Sequence, residues 1–207
     1  MFLWEGTFAV QGAGVLKRIP VNPHQTDDEQ ILRRIASGDR NALAELHERY
    51  QRSLFRYLCQ MTPDRGLAEE ILQDTLVAAW RSAANYEGRA SVHAWLLGIA
   101  RRQAHNSLRR RGLPTADAEA LDGLVDTDPA PDERLVARAG REDLARAIAE
   151  LAPAHREILA LNFAHGLSYA EIARVLSVPE GTVKSRLNSA KRALRSAVSQ
   201  RGEEQPS

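Results

Sequence analysis

Between residues 183 and 198 the apolar side chains Val183, Leu187, Ala190, Leu194 and Val198 recur at intervals of three or four. At about 100° per residue they fall in one narrow sector of a helix. That sector has to bury against something. The same spacing runs through Leu43, Leu46, Tyr50, Leu54, Tyr57 and Leu58. No stretch shows the sustained apolar-polar alternation of a half-buried strand. Aromatic residues make up only 5% of the chain, while Ala, Leu and Arg are plentiful. The expectation is an all-α protein.

One segment divides the helical pattern. Residues 112–133, GLPTADAEALDGLVDTDPAPDE, hold seven acids, three prolines and neither Lys nor Arg. Such a composition makes a linker rather than a packed element. The chain of 207 residues is therefore expected to form two small helical domains, 27–111 and 132–199, tethered by a flexible acidic linker at 112–131. Residues 1–26 lack periodicity and are expected to be a disordered extension, as is the tail 200–207.

Breakers and caps place the helices. Asp27 with Gln30 resembles a capping box, and Ser37–Gly38 ends the helix that follows. Asp39 can cap the next helix, and Thr62–Asp64 ends it and starts a third, which runs to about Ser82. Residues 85–91, NYEGRAS, make a loop before a fourth helix that reaches Arg111. In the second half, helical pattern runs to Leu151, Pro153 opens a helix that Gly166 ends, and Ser168–Glu171 forms another capping box before SYAEIARVL.

That short capped helix, the turn SVPE and the striped helix from 181 have the grammar of a helix-turn-helix, whose second helix enters a major groove. Opposite the stripe lie Lys184, Ser185, Asn188, Ser189, Arg192 and Arg195, with no acid from 181 to 201. A basic face that is merely solvated usually has acids mixed into it. Lys and Arg neutralise phosphates, and Lys, Asn, Ser and Thr can bond base edges. The helix start at Gly181–Thr182 offers backbone N–H groups to a phosphate. Arg186 flanks the apolar sector and is expected to pair with Glu171, holding the two helices together.

In the first half, LAEEILQDTLVAAWRS is apolar over much of its circumference, with a small polar strip at Glu70, Gln73 and Asp74. It reads as a core helix that also meets a partner. Paired carboxylates suggest acid–base chemistry, but no His, Lys or nucleophile stands at useful spacing. The loop before the fourth helix combines Tyr86, Gly88 and Arg89, an aromatic, a flexible backbone and a cation, which together can hold an unstacked base. That helix ends in Arg101, Arg102, Arg109, Arg110 and Arg111. Tyr86 and Trp95 can equally be core, and Trp95 is read as core beside Leu96 and Ile99.

Other chemistries find little support. The histidines and Cys59 do not form metal-ligand spacing, Cys59 reads as a buried thiol, and no phosphate-binding or dinucleotide loop occurs, so no cofactor or metal is expected. A single cysteine excludes an intrachain disulfide and fits a reducing cytoplasm. No apolar run approaches the ~20 residues of a membrane helix, and the start MFLWEGTFAVQGAGVLKR is a poor signal peptide because its basic pair follows the apolar stretch.

Three stretches in order, AEEILQDTLVAAWR, SVHAWLLGIARRQAHNSLRR and LSYAEIARVLSVPEGTVKSRLNSAKRALR, resemble bacterial RNA polymerase sigma factors of the extracytoplasmic-function (ECF) group of the sigma-70 family. The resemblance covers about 27–199. It implies that 27–111 is like sigma region 2, with Glu70, Gln73 and Asp74 on the clamp helices of core RNA polymerase. It implies that Tyr86, Gly88, Arg89, Ala90, Ser91 and Val92 hold a flipped base of the −10 element, with Arg102 on the helix behind. It implies that 132–199 is like region 4, bound to the polymerase flap and reading the −35 element of promoter DNA through Thr182, Lys184, Ser185, Asn188, Ser189 and Arg192. An anti-sigma factor is the implied inhibitor. Two positions depart from the family pattern: Arg102 stands where Asn is common, and Val92 where a bulky aromatic is common. The rival reading of the residues is a stand-alone helix-turn-helix regulator whose first domain senses a ligand or dimerises. Neither reading makes the chain an enzyme or gives it a small-molecule substrate.

Overall fold

The computed structural model describes residues 25–113 and 141–203, and all of their regular structure is helical. Residues 1–24, 114–140 and 204–207 lie outside the described residues, and with them nearly all of the expected extension and linker; residues 25 and 26, expected to be disordered, belong to a helix. The helices are α1 (Gln25–Ala36), α2 (Arg40–Met61), α3 (Arg65–Ser82), α4 (Val92–Arg110), α5 (Arg141–Glu150), α6 (Pro153–Leu159), α7 (Tyr169–Leu176) and α8 (Glu180–Glu203). The chain divides into two compact units. The first is built on α1–α4. The second is built on α5, α6, α7 as far as Ala173, and α8.

In the first unit α2, α3 and α4 pack against one another and α1 covers α2. Leu46, Leu54, Tyr57 and Leu58 of α2 are fully buried, as are Ile71 of α3 and Leu96 and Leu97 of α4. Leu43 is only half-buried, and Ala42 takes the interior place beside Leu46. Asp39 Oδ1 accepts from the Asn41 and Ala42 amides, which fixes the start of α2. Its carboxyl is held below the ordinary 3.8, chiefly by the Arg34 guanidinium. This cap is therefore charged above the ordinary carboxylate range, and its contribution is lost as pH falls through the lowered value. Asp64 does the same work for α3, accepting from Leu67 N at 3.1 Å.

Two expectations at the ends are corrected. The α1 helix begins at Gln25, so Asp27 sits inside its first turn rather than at the N-cap. An acid there still faces the positive end of the helix dipole. The α8 helix continues to Glu203, past the expected end at 199. The apolar stripe stops at Val198, but no breaker follows before Gly202.

A polar cluster inside the first unit was not expected. Asp28, 1% exposed, accepts from the Tyr50 hydroxyl and from Arg49 Nη1. The Tyr50 ring stacks on His93 at 5.4 Å, and a His93 ring nitrogen bonds Ser53 Oγ at 2.8 Å. This row joins α1, α2 and the start of α4. Cys59 is half-buried rather than fully buried, and burial pushes its thiol above the ordinary value. A thiol kept protonated is a poor nucleophile.

In the second unit α8 packs on α5 and α6. Arg156 Nη1 donates to the Ala149 and Leu151 carbonyls, closing the end of α5. After α6 the backbone widens into a π-type turn at 160–164, entirely buried, with the His165 amide donating to Ala160 O. Asn162 Nδ2 then satisfies the Leu167 carbonyl where the chain reverses at Gly166, φ 68°. The sequence pattern predicts an uninterrupted helix there. Such widening depends on local packing and leaves no mark in apolar spacing.

Candidate nucleic-acid interface

The capping box ahead of α7 is closed in both directions. Glu171 N donates to Ser168 Oγ at 3.3 Å, and the Ser168 amide and hydroxyl donate to Glu171 Oε2 at 2.9 and 2.8 Å. The box fixes the start of α7, where Ile172 is buried and Tyr169 at the head stays exposed. The helix ends on Ser177, φ 56°, with Val178 N bonded to Ala173 O. A non-glycine residue rarely adopts that left-handed geometry. It turns the chain within the residues SVPE and starts α8.

On α8 the five stripe residues Val183, Leu187, Ala190, Leu194 and Val198 are all buried. Their burial fixes the rotation of the helix, so Lys184, Asn188 and Arg192 are exposed along one line, with Thr182, Ser185 and Ser189 half-buried at its edges. The Asn188 side chain has no hydrogen-bond partner among the described residues. Lys184 Nζ lies 3.8 Å from Glu180 Oε1, a loose pair between exposed groups. Ser185 Oγ donates to Thr182 O at 3.1 Å. The first closed helical bond runs from Val183 N to Pro179 O. The amides of Glu180, Gly181 and Thr182 therefore precede it, at the positive end of the helix. Lys191 leaves this face to lie over the Phe163 ring at 5.5 Å. Arg186 is half-buried beside the stripe.

The loop between α3 and α4 is braced from within. The Tyr86 hydroxyl donates to Ala90 O at 2.6 Å, and its ring meets Trp95 edge to face at 5.5 Å. Gly88 has φ 70°, and no atom would crowd a side chain there, so backbone conformation alone demands glycine. Arg89 pairs with Glu87 at 2.6 Å, both well exposed. Ser91 Oγ caps α4 by accepting from Ala94 N. Val92 is 1% exposed, so it supports the loop from the core and does not face solvent. Trp95, read as core, is half-buried.

The basic end of α4 is less uniform than its sequence. Arg101 is buried. Arg102 and Arg110 are exposed without an ion pair among the described residues. Arg109 donates to Asn106 Oδ1 at 2.7 Å, and Arg111 Nη2 meets Glu70 Oε2 at 2.8 Å. On α3, Glu70, Gln73 and Asp74 are exposed in one strip, as expected. The strip continues into Val77, 48% exposed, which the sequence reading passed over. Its place three residues after Asp74 and seven after Glu70 was the available signal.

Among the described residues no group of His, Cys, Asp or Glu could hold a metal ion, and no helix is long and apolar enough to cross a membrane. Comparison with known proteins agrees with this geometry. Residues 46–113 match the family pattern for Sigma-70 region 2, and residues 141–194 match Sigma-70, region 4. The ECF RNA polymerase sigma factor SigK of Mycobacterium bovis is 29% identical over 177 residues, covering 84% of this chain and 94% of that one. SigK of Mycobacterium sp. strain KMS is equally similar, covering 91% of its length. Among solved structures, the sigma factor RpoE of Bartonella quintana, in complex with the anti-sigma factor NepR, is 25% identical with a TM-score of 0.55, covering 75% of this chain and 96% of that one. CnrH, in complex with the cytosolic domain of CnrY, shares the fold at 22% identity and TM-score 0.57, covering 86% and 99%. The chain belongs to the extracytoplasmic-function group of the sigma-70 family of RNA polymerase sigma factors.

Proposed function

We propose that this sigma factor directs promoter-specific initiation by placing α8 in the major groove of the −35 element and the loop 86–91 against an unstacked base of the −10 element. The observation that carries the reading is the exposed row Lys184, Asn188 and Arg192, held outward by a fully buried stripe on the same helix. Ser185, Ser189 and Thr182 complete the groove-facing surface, and the leading amides of α8 take a phosphate. At the −10 element Tyr86, Gly88, Arg89 and Ala90 form the pocket, while Ser91 and Val92 hold it in shape and Arg102 contacts the strand. Glu70, Gln73 and Asp74, with Val77 beside them, dock on the clamp helices of core polymerase, and the second unit docks on the flap. Arg186 pairs with Glu171, so that α7 and α8 keep a fixed angle. The first domain runs from the start of α1 to Arg111 and the second from about 132 to the end of α8, joined by the acidic linker 112–131. Polymerase and promoter place the work in the cytoplasm. A relative of similar fold is held by an anti-sigma factor, and an inhibitor of that kind is proposed for this chain.

Purified protein, added to core polymerase, should start transcription from a cognate promoter and bind that promoter weakly without polymerase. Tight unaided binding to a palindromic operator, with no transcription, would overturn the reading in favour of a stand-alone regulator. For Lys184→Ala we expect a loss of ~1–3 kcal/mol in promoter binding by holoenzyme, with specificity relaxed at one base pair. A loss that is uniform over all −35 sequences would make Lys184 a phosphate contact instead.

A further inference from the structure

Glu70 stands in the strip proposed to meet the polymerase, yet its carboxylate is already engaged. Its Oε2 accepts from Arg111 Nη2 at 2.8 Å, with both side chains about half exposed. Asp74, one turn further along α3, has no ion pair among the described residues. Arg111 is held at its backbone: its amide bonds the carbonyls at the end of α4, and Gly112, φ 68°, lets Gly112 N reach Arg109 O and Leu113 N reach Leu108 O. Only the Arg111 side chain is free to change partner. Beside it are Arg109, bonded to Asn106, and Arg110, which has no ion pair among the described residues.

We infer that Glu70 and Arg111 form an exchangeable latch that couples polymerase docking to capture of the DNA strand. The inference rests on the docking role proposed for Glu70. A basic side chain of the polymerase arriving at Glu70 would crowd the Arg111 cation and displace it. An exposed ion pair is weak enough for such a trade. The released guanidinium then joins Arg109 and Arg110 at the end of α4, where a third cation strengthens the grip on strand phosphates. In the free chain this site is held one charge short, which lowers its affinity for nucleic acid away from the polymerase.

Two titrations on the full chain test the latch. Arg111→Gln should tighten assembly with core polymerase about two- to threefold, because Glu70 no longer has to be released. A merely structural Arg111 would leave assembly unchanged or weaken it, and either result overturns the latch. In the second titration a single-stranded oligonucleotide is bound over a range of salt concentrations. Glu70→Gln should steepen the salt slope by about 0.7, the value for one further phosphate contact. That gain should vanish when Arg111→Gln is added. Equal steepening with and without Arg111 would mean simple loss of a negative charge, and no measurable strand binding by any form likewise overturns the proposal. If Glu70→Gln fails to weaken assembly at all, the docking role of Glu70 falls and takes the latch with it. If Glu70→Gln weakens assembly but Arg111→Gln does not tighten it, the latch alone falls.

Discussion

Glu70→Lys combined with Asp74→Lys is expected to weaken assembly with core polymerase by about two orders of magnitude, or ~2.8 kcal/mol. Both side chains are exposed on α3, so the change leaves the core intact. If the strip meets basic groups, each reversal replaces an attraction with a like-charge contact, which costs several kcal/mol across an interface. Glu70→Lys also sets a cation against Arg111, whose present partner is Glu70. Part of any effect could therefore be local, and the thermal midpoint of the double variant should be measured alongside. We expect it to shift by only a few degrees, as surface ion pairs contribute ~0–1 kcal/mol. Discrimination by the full chain between a −35 duplex and an unrelated duplex should stay unchanged, because base contacts come from α8, while sequence-independent binding of both rises with the added positive charge. Normal assembly by the double variant would remove the case for the strip as a docking surface.

The second large effect is on stability. Asp28→Ala should destabilise the first unit by about 3 kcal/mol, the lower end of the range for breaking a buried charged pair. Asp28 is 1% exposed and receives both the Tyr50 hydroxyl and the Arg49 guanidinium. Removing the carboxylate takes an acceptor from a buried hydroxyl and a counter-charge from a cation whose side chain is 29% exposed. That residual exposure, and the second contact from Arg49 to Glu45 at 3.3 Å, keep the loss from the top of the range. Asp28→Asn keeps the shape and an acceptor oxygen, so it should lose less. Because Tyr50 stacks on His93 near the start of α4, the damage should reach the helix that follows the −10 loop. Urea unfolding gives the number, and a loss below about 1 kcal/mol for Asp28→Ala would mean that the cluster is incidental.

How far the sequence could be read depends on the range of the interaction. The caps at Asp39, Asp64, Ser91 and Ser168 involve partners two or three residues away, and those at Asp39 and Ser168 were read from residue type and offset alone. The stripe on α8 was visible because burial follows helical period. It also set Lys184 and Arg192 outward, since a helix with one side buried has no rotational freedom left, whereas Arg195, expected on the same face, is half-buried. Glycine at 88 and 166 marked loop positions for a local reason as well, since their positive φ values suit a residue without a Cβ.

Contacts between distant residues were not legible. Nothing near Asp28 announces that Tyr50 and Arg49 will surround it, and an acid on the first turn of a short helix reads as a solvated dipole partner. Nothing near Glu70 announces Arg111, 41 residues away. Tyr86, Trp95 and Val92 could each have been core or surface, and their roles as brace, edge partner and buried support followed only from the crossing of α3 and α4.

The amino-acid sequence by itself determined the number and order of the helices, the caps at Asp39 and Ser168 and the face α8 presents, because those follow from hydrogen bonds and periodicity within a few turns of chain; the start of α1 and the π-type turn at 160–164 were not among them. The tertiary structure alone decided which charges are buried, paired or left for a partner. That outcome depends on the desolvation and proximity of groups remote in sequence, and no local pattern encodes either.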